Sequence, residues 1–83
     1  MKIGFIGSGK MAEAIISGVL NSGIIDSENI LCSDINKERI NYIDNKYKTS
    51  TFGNNSTIID KCDLIFLCVK PQDIKKLKND LYD

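Results

Sequence analysis

The sequence predicts an α/β protein: a partial doubly wound parallel sheet of four strand–helix (βα) units, with the strands in the order 3-2-1-4. Three observations carry this reading. Short runs of β-forming residues, KIGFI, NILCS and LIFLCV, alternate with stretches of helical period. The strand-then-helix order recurs four times, with no repeat, linker or low-complexity tract between the units. A glycine-rich turn leaves the first strand and opens the first helix, and right-handed crossovers then place helices on both faces of the sheet.

KIGFI is bounded by glycine and reads as a strand. From Lys10 the period changes: Met11, Ile15, Ile16, Val19 and Leu20 form an apolar helical stripe that ends near Asn21 and Gly23. Gly18 lies within it and is expected to let the helix pack closely on the sheet. NILCS is the second strand. Asn36 caps a second helix carrying Ile40 and Ile43, with Tyr47 beyond its end. Thr49 to Phe52 is a weak third strand ended by Gly53, and Asn54 or Asn55 starts a short helix through Ile58 and Ile59. LIFLCV is uniformly apolar, as a strand covered on both faces would be. Pro71 then falls near the first turn of a closing helix that carries Ile74, Leu77 and Leu81.

Eighty-three residues with 42% hydrophobic and 27% charged content make one small folded domain. Eleven basic residues balance eleven acidic ones, so no basic block speaks for nucleic acid or an anionic membrane, although KKLK is locally cationic. No apolar run approaches the length of a membrane span. Cys32, Cys62 and Cys68 are odd in number, lack a CxxC spacing and have no histidine beside them. They read as buried thiols of a reducing, cytoplasmic compartment, and no metal site is expected.

The chemistry concentrates in Gly7-Ser8-Gly9-Lys10-Met11-Ala12, a G-x-G-x-x-A. Gly7 permits the tight turn, Gly9 lets a pyrophosphate approach the backbone, and Ala12 lets the helix lie close to the strand. The helix N-terminus supplies N–H groups for phosphate, and Lys10 adds a cation at the mouth. GSGKMAEA does not fit the Walker pattern. Because the loop follows a strand, opens a helix and precedes a second βα unit, it reads as a dinucleotide loop rather than a glycine turn of an unrelated α/β protein. Asp34, twenty-two residues past Ala12, stands at the end of strand two. There a carboxylate accepts hydrogen bonds from an adenosine ribose, which favours NAD, or it is simply a solvated turn residue. Ser33, Asn36, Lys37 and Arg39 lie near enough in sequence to screen a 2′-phosphate, so the choice between NADPH and NADH stays open.

With these residues in place, MKIGFIGSGKMAEAIISGVLNSGI and LIFLCVKPQDI resemble the N-terminal, Rossmann-like coenzyme domain of pyrroline-5-carboxylate reductase, and the likeness spans the whole chain. IGFIGSGKMAEAI together with CVKPQ is more specific than the glycine pair alone. The resemblance implies an oxidoreductase that reduces the imine of 1-pyrroline-5-carboxylate to L-proline by hydride transfer from NADPH or NADH, in proline biosynthesis. It implies that Ile6, Gly7, Ser8, Gly9, Lys10 and Met11 form the pyrophosphate loop and that Ser33 or Asp34 meets the ribose or its phosphate. It further implies that Asn55 reaches the adenosine end and that Val69, Lys70, Pro71 and Gln72 line the cofactor cleft. Lys70 is either a cation beside the substrate or nicotinamide, or a solvated lysine at a helix start. Gln72 either hydrogen-bonds the cofactor or caps the closing helix. Met11 reads more readily as helix-stripe core than as a nicotinamide contact.

In the resembled family further strands and an all-helical domain follow, which hold the imino acid and form the oligomer. Residues 1–83 therefore read as a truncated dinucleotide-binding domain, inactive alone, with no catalytic residue of its own assigned. The edge of strand four would be left open to self-association. Two other readings stand beside this one: another small-substrate reductase of the same superfamily, and a standalone dinucleotide-binding module.

Overall fold

The computed structural model describes residues 1–51 and 54–69. Its elements run β1 (Ile3–Ile6), α1 (Lys10–Ser22), a 3-10 turn (Ser27–Asn29), β2 (Ile30–Ser33), α2 (Lys37–Tyr47), β3 (Ser50–Thr51), α3 (Asn55–Lys61) and β4 (Leu64–Leu67). All pairings are parallel, and the strand order is β3-β2-β1-β4, as the alternation of units predicts. β1 sits inside, with Ile3 opposite both Ile30 and Leu64, and Phe5 opposite both Cys32 and Phe66.

Because side chains alternate along a strand, β1 feeds two cores. Ile3 and Phe5 join Ala12, Ile16, Ile25, Ile30, Cys32 and Ile43 under α1 and α2. Phe5 stacks on Phe66 at 5.1 Å between ring centroids. Ile6 and Leu31 face the other way, against Ile58 of α3. Gly4 lies on that second face, where an added Cβ would run into Ile58 and would come within 2.8 Å of the Cys62 sulfur. Asn36 caps α2 by accepting from the Glu38 and Arg39 N–H groups, and Asn54 caps α3 through the Thr57 N–H. Gly23 ends α1 in the left-handed conformation, its N–H donating to the Leu20 carbonyl.

Four expectations need correction. Gly18 does not serve close packing: a Cβ there would meet nothing within 4 Å, because its side of α1 faces solvent. Met11 is not core but 69% exposed, since the stripe that packs on the sheet runs through Ala12 and Ile16 instead. Tyr47 is the last residue of α2, not beyond it, and Lys48 closes the helix at φ 60°. β4 is covered only in part, with Leu64 and Leu67 exposed and Ile65 and Phe66 half-buried, because it forms the edge of the described sheet. Its pairing stops at Leu67, where β1 runs out, and Cys68 makes a last bond from its N–H to the Ile6 carbonyl at 2.8 Å. Phe52 and Gly53, and the expected closing helix with Ile74, Leu77 and Leu81, lie outside the described residues.

Of the three thiols only Cys32 is fully buried, and burial pushes it up to about 11; Cys62 and Cys68 are half-buried and raised by the same cause. Alkylation of the native chain, followed by mass spectrometry, should therefore modify Cys62 and Cys68 before Cys32.

The two helix- and strand-borne glycines give opposite expectations. Gly4→Ala should lower stability by roughly 1–3 kcal/mol through overpacking, and Gly18→Ala should raise it by roughly 0.5–1 kcal/mol through helix propensity. Urea unfolding followed by circular dichroism reads both.

Candidate functional site

β1 and β2 end side by side, and the residues that follow them meet at one edge of the sheet. Gly7 turns the chain at φ 95°, where its N–H donates to the Ser33 carbonyl at 2.9 Å. A Cβ on Gly7 would collide with the Cys68 carbonyl and crowd Val69, so glycine is required on two counts. Ser8 is fully buried. Its N–H and its hydroxyl both donate to the Asp34 carboxylate, at 2.8 and 3.0 Å, and its carbonyl accepts from Arg39 Nε at 2.5 Å. All its polar atoms are thus used to hold the loop from behind.

Gly9 is the opposite. It is exposed, and a Cβ there would meet nothing within 4 Å, so the space over its backbone is open. It occupies the N-cap of α1 without a side-chain cap, unlike Asn36 and Asn54 at the other two described α-helices. The first bond of the helical ladder runs from the Glu13 N–H to the Gly9 carbonyl. The N–H groups of Lys10, Met11 and Ala12 precede it and point out of the helix end with the positive end of its dipole. A helix end of this kind is suited to receive an anion. Lys10 and Met11 are exposed at its rim, and Ile6 and Ala12 are buried beneath it.

Asp34 stands at the other side of the mouth. Its second carboxylate oxygen accepts from the Asn36 N–H at 2.8 Å. Burial works to raise its pKa, but the N–H groups of Asn36 and Ser8, the Ser8 hydroxyl and the Arg39 charge together hold it below the ordinary value. It is therefore a carboxylate at neutral pH. Ser33 is buried, and its hydroxyl donates to Asn55 Oδ1 at 2.5 Å, which ties the end of β2 to the start of α3. Of the pair Ser33 and Asp34, only Asp34 keeps surface toward the mouth. Val69 is half-buried beside Gly7, whereas Lys70, Pro71 and Gln72 lie outside the described residues.

Two features escape sequence reasoning. Ile35, 88% exposed, sits directly between Asp34 and Asn36. An apolar residue inside the polar turn SDINK is its only trace in the sequence, and it offers an exposed apolar surface next to Asp34. The second feature is a cluster on Glu13. Its carboxylate accepts from Tyr47 at 2.7 Å, from Lys46 and Tyr42 at 3.0 Å, and from Arg39 at 2.7 Å, joining α1 to α2. Arg39 also lies 4.8 Å from the Tyr42 ring centroid. The Tyr47 hydroxyl first, then Lys46, against some desolvation, lower the Glu13 pKa from 4.5 to about 2. Among the described residues no group of three or more His, Cys, Asp and Glu side chains is placed to hold a metal ion. No described helix is long and apolar enough to cross a membrane.

A parallel sheet in the order 3-2-1-4, with an open glycine turn leading into an uncapped helix at the carboxyl ends of its inner strands, defines a Rossmann-type α/β domain. The chain belongs to the family described as NADP oxidoreductase coenzyme F420-dependent, which it matches over residues 2–83. It is 35% identical over 80 residues to pyrroline-5-carboxylate reductase of Methanosarcina acetivorans, covering 96% of this chain and 30% of that protein. Its fold superposes on a pyrroline-5-carboxylate reductase from Coxiella burnetii with a TM-score of 0.84 and 29% identity, over 99% of this chain and 32% of the other. It superposes on the Plasmodium falciparum pyrroline carboxylate reductase, solved with NADP bound, with a TM-score of 0.80 and 27% identity, over 98% and 28% of the two chains. The resemblance read from IGFIGSGKMAEAI and CVKPQ is thus found in both sequence and fold. The chain spans about 30% of the length of the relatives it matches.

Since the folded pKa of Glu13 is depressed, its contribution to stability is complete above pH 4.5 and is lost as the pH falls toward about 2. Thermal melts should show the native chain losing melting temperature over that window. Glu13→Gln should begin lower at pH 7 and lose less.

Proposed function

We propose that these residues are the coenzyme-binding part of an NAD(P)H-dependent reductase that converts 1-pyrroline-5-carboxylate to L-proline. The observation that carries the reading is the open backbone at Gly9 before the uncapped first turn of α1. A pyrophosphate fits there and a side chain on residue 9 would exclude it. The N–H groups of Lys10, Met11 and Ala12 receive its charge, Lys10 adds a cation at the rim, and Ser8 stays fixed behind the loop. Asp34 accepts from the adenosine ribose, and exposed Ile35 lies where an adenine ring would pass.

When bound, the nicotinamide supplies a hydride to the imine carbon while the ring nitrogen takes a proton, which leaves L-proline and the oxidised cofactor. The part of this played by residues 1–69 is to bind and orient the dinucleotide along the carboxyl ends of β1 and β2. Val69 follows β4, and the resemblance assigns Lys70, Pro71 and Gln72 to the lining of the cofactor cleft. The relatives are about three times as long as the part matched here, and imino-acid binding is proposed to lie outside that part. The names of the relatives favour imine reduction over the other small-substrate reductases and over a standalone binding module.

Titration of the chain with NADPH, NADH and ATP, followed by nicotinamide fluorescence and calorimetry, tests the cofactor half of the proposal. Saturable binding of a reduced dinucleotide is expected. Gly9→Leu should weaken it at least about tenfold, equivalent to about 1.4 kcal/mol, while lowering the melting temperature only slightly, because a Cβ there meets nothing within 4 Å and the loss is that of a poorer N-cap. A folded chain that binds neither dinucleotide would overturn the reading.

A further inference from the structure

We propose that this chain selects NADH over NADPH, and that Glu13 on α1 contributes to the choice by engaging Arg39 in the contact between α1 and α2, so that the guanidinium is not free to meet a 2′-phosphate. The inference rests on the coenzyme reading above and adds to it which of the two nicotinamides the mouth accepts.

NADPH differs from NADH by one phosphate on the adenosine ribose. To accept it, a site must offer cations or free N–H donors where that ribose lies, beyond the end of β2. This chain has donors there, and its own side chains already occupy them. The Asn36 N–H donates to Asp34 Oδ1 at 2.8 Å. The Glu38 and Arg39 N–H groups donate to Asn36 Oδ1 at 3.0 and 3.3 Å. A phosphate arriving beside Asp34 would meet a carboxylate first, and could reach these N–H groups only by displacing two side chains.

Arg39 is the cation best placed by sequence to offset that charge, and the structure engages it in other contacts. Its Nε donates to the Ser8 carbonyl, its Nη2 to Glu13 Oε1, and its planar face lies against Tyr42. Glu13 is itself fixed by Tyr47, Tyr42 and Lys46, so the acceptor that holds Arg39 does not move with it. The guanidinium serves as a strut between the glycine loop and the two helices. Lys37 and Glu38, exposed together at the start of α2, bring opposite charges to the same rim. A ribose 2′-hydroxyl, by contrast, has an ionised acceptor waiting in Asp34.

The test is a pair of dissociation constants, for NADH and NADPH, measured on the full chain and on two variants. The native chain should bind NADH at least about tenfold more tightly, a difference of about 1.4 kcal/mol. Glu13→Ala frees Arg39 to swing toward the ribose, so the ratio should narrow by severalfold through tighter NADPH binding, with NADH affinity nearly unchanged. A merely structural role for Glu13 would weaken both cofactors alike. Asp34→Asn keeps the α1–α2 contact and removes the charge, at the cost of one acceptor, since its NH2 replaces the oxygen that holds either Ser8 or the Asn36 N–H; the ratio should narrow even if Glu13→Ala fails to fold. NADPH binding as tight as NADH in the native chain overturns the inference while leaving the coenzyme reading intact. A ratio unmoved by Glu13→Ala in a folded protein overturns the part assigned to Glu13. Absence of binding by both cofactors overturns the coenzyme reading, and the inference with it.

Discussion

Asp34 and Ser8 are joined by two hydrogen bonds, and the form of the mouth depends on them. The glycine turn has little side-chain mass with which to hold itself, so its geometry is set from outside. Asp34 does this from the end of the neighbouring strand, using one carboxylate oxygen on the Ser8 N–H and hydroxyl and the other on the start of its own turn. Register makes the contact possible: Ile6 lies opposite Ser33, so the residues that follow the two strands emerge together. Shifting either strand by one residue would turn its apolar face to the wrong layer and separate the pair.

Around this link the polar groups are layered. Ser8 is buried and saturated, Gly9 bare, and the first turn of α1 uncapped. Side-chain acceptors satisfy the N–H groups that open α2 and α3, from Asn36 and Asn54, whereas α1 has no such acceptor and its first N–H groups stay uncapped. Glu13 completes the arrangement one turn further along α1. By gathering two tyrosines, a lysine and an arginine from α2, it ties α1 to α2.

Sequence legibility followed the range of the interactions. β1, α1, the cap at Asn36 and the strand order are local patterns or topological rules, and the structure has them; between Asn54 and Asn55 at the start of α3 it chooses Asn54. The glycine loop was legible for the same reason, since Gly7, Gly9 and Ala12 sit within one turn of chain. Gly18 and Met11 were misread because a periodic stripe does not say which edge of it faces the sheet. β4 was misread because an apolar run reports what a strand could bury, not what lies beside it among the described residues. The Glu13 cluster had no signal: its partners are on another helix, and each of those residues reads as an ordinary solvated side chain of α2. The engagement of Arg39 was hidden likewise, since nearness in sequence to Asp34 does not say where the guanidinium points.

The placement of β1 inside the sheet also governs the order in which the chain can assemble. The first strand to be made is the one with strands on both sides, and neither neighbour exists when it is synthesised. β2 arrives after a helix, and β4 only after two more helices and another strand. Every pairing in the sheet is therefore non-local, and the loop that β1 carries has no anchor until Asp34 has been made and β2 has docked. Folding of this domain is bound to be a late event relative to translation of its own N-terminus. A nascent chain halted within α2 would have both Ser8 and Asp34 in hand, and so the means to shape the mouth, while the other side of β1 still waited for its partner.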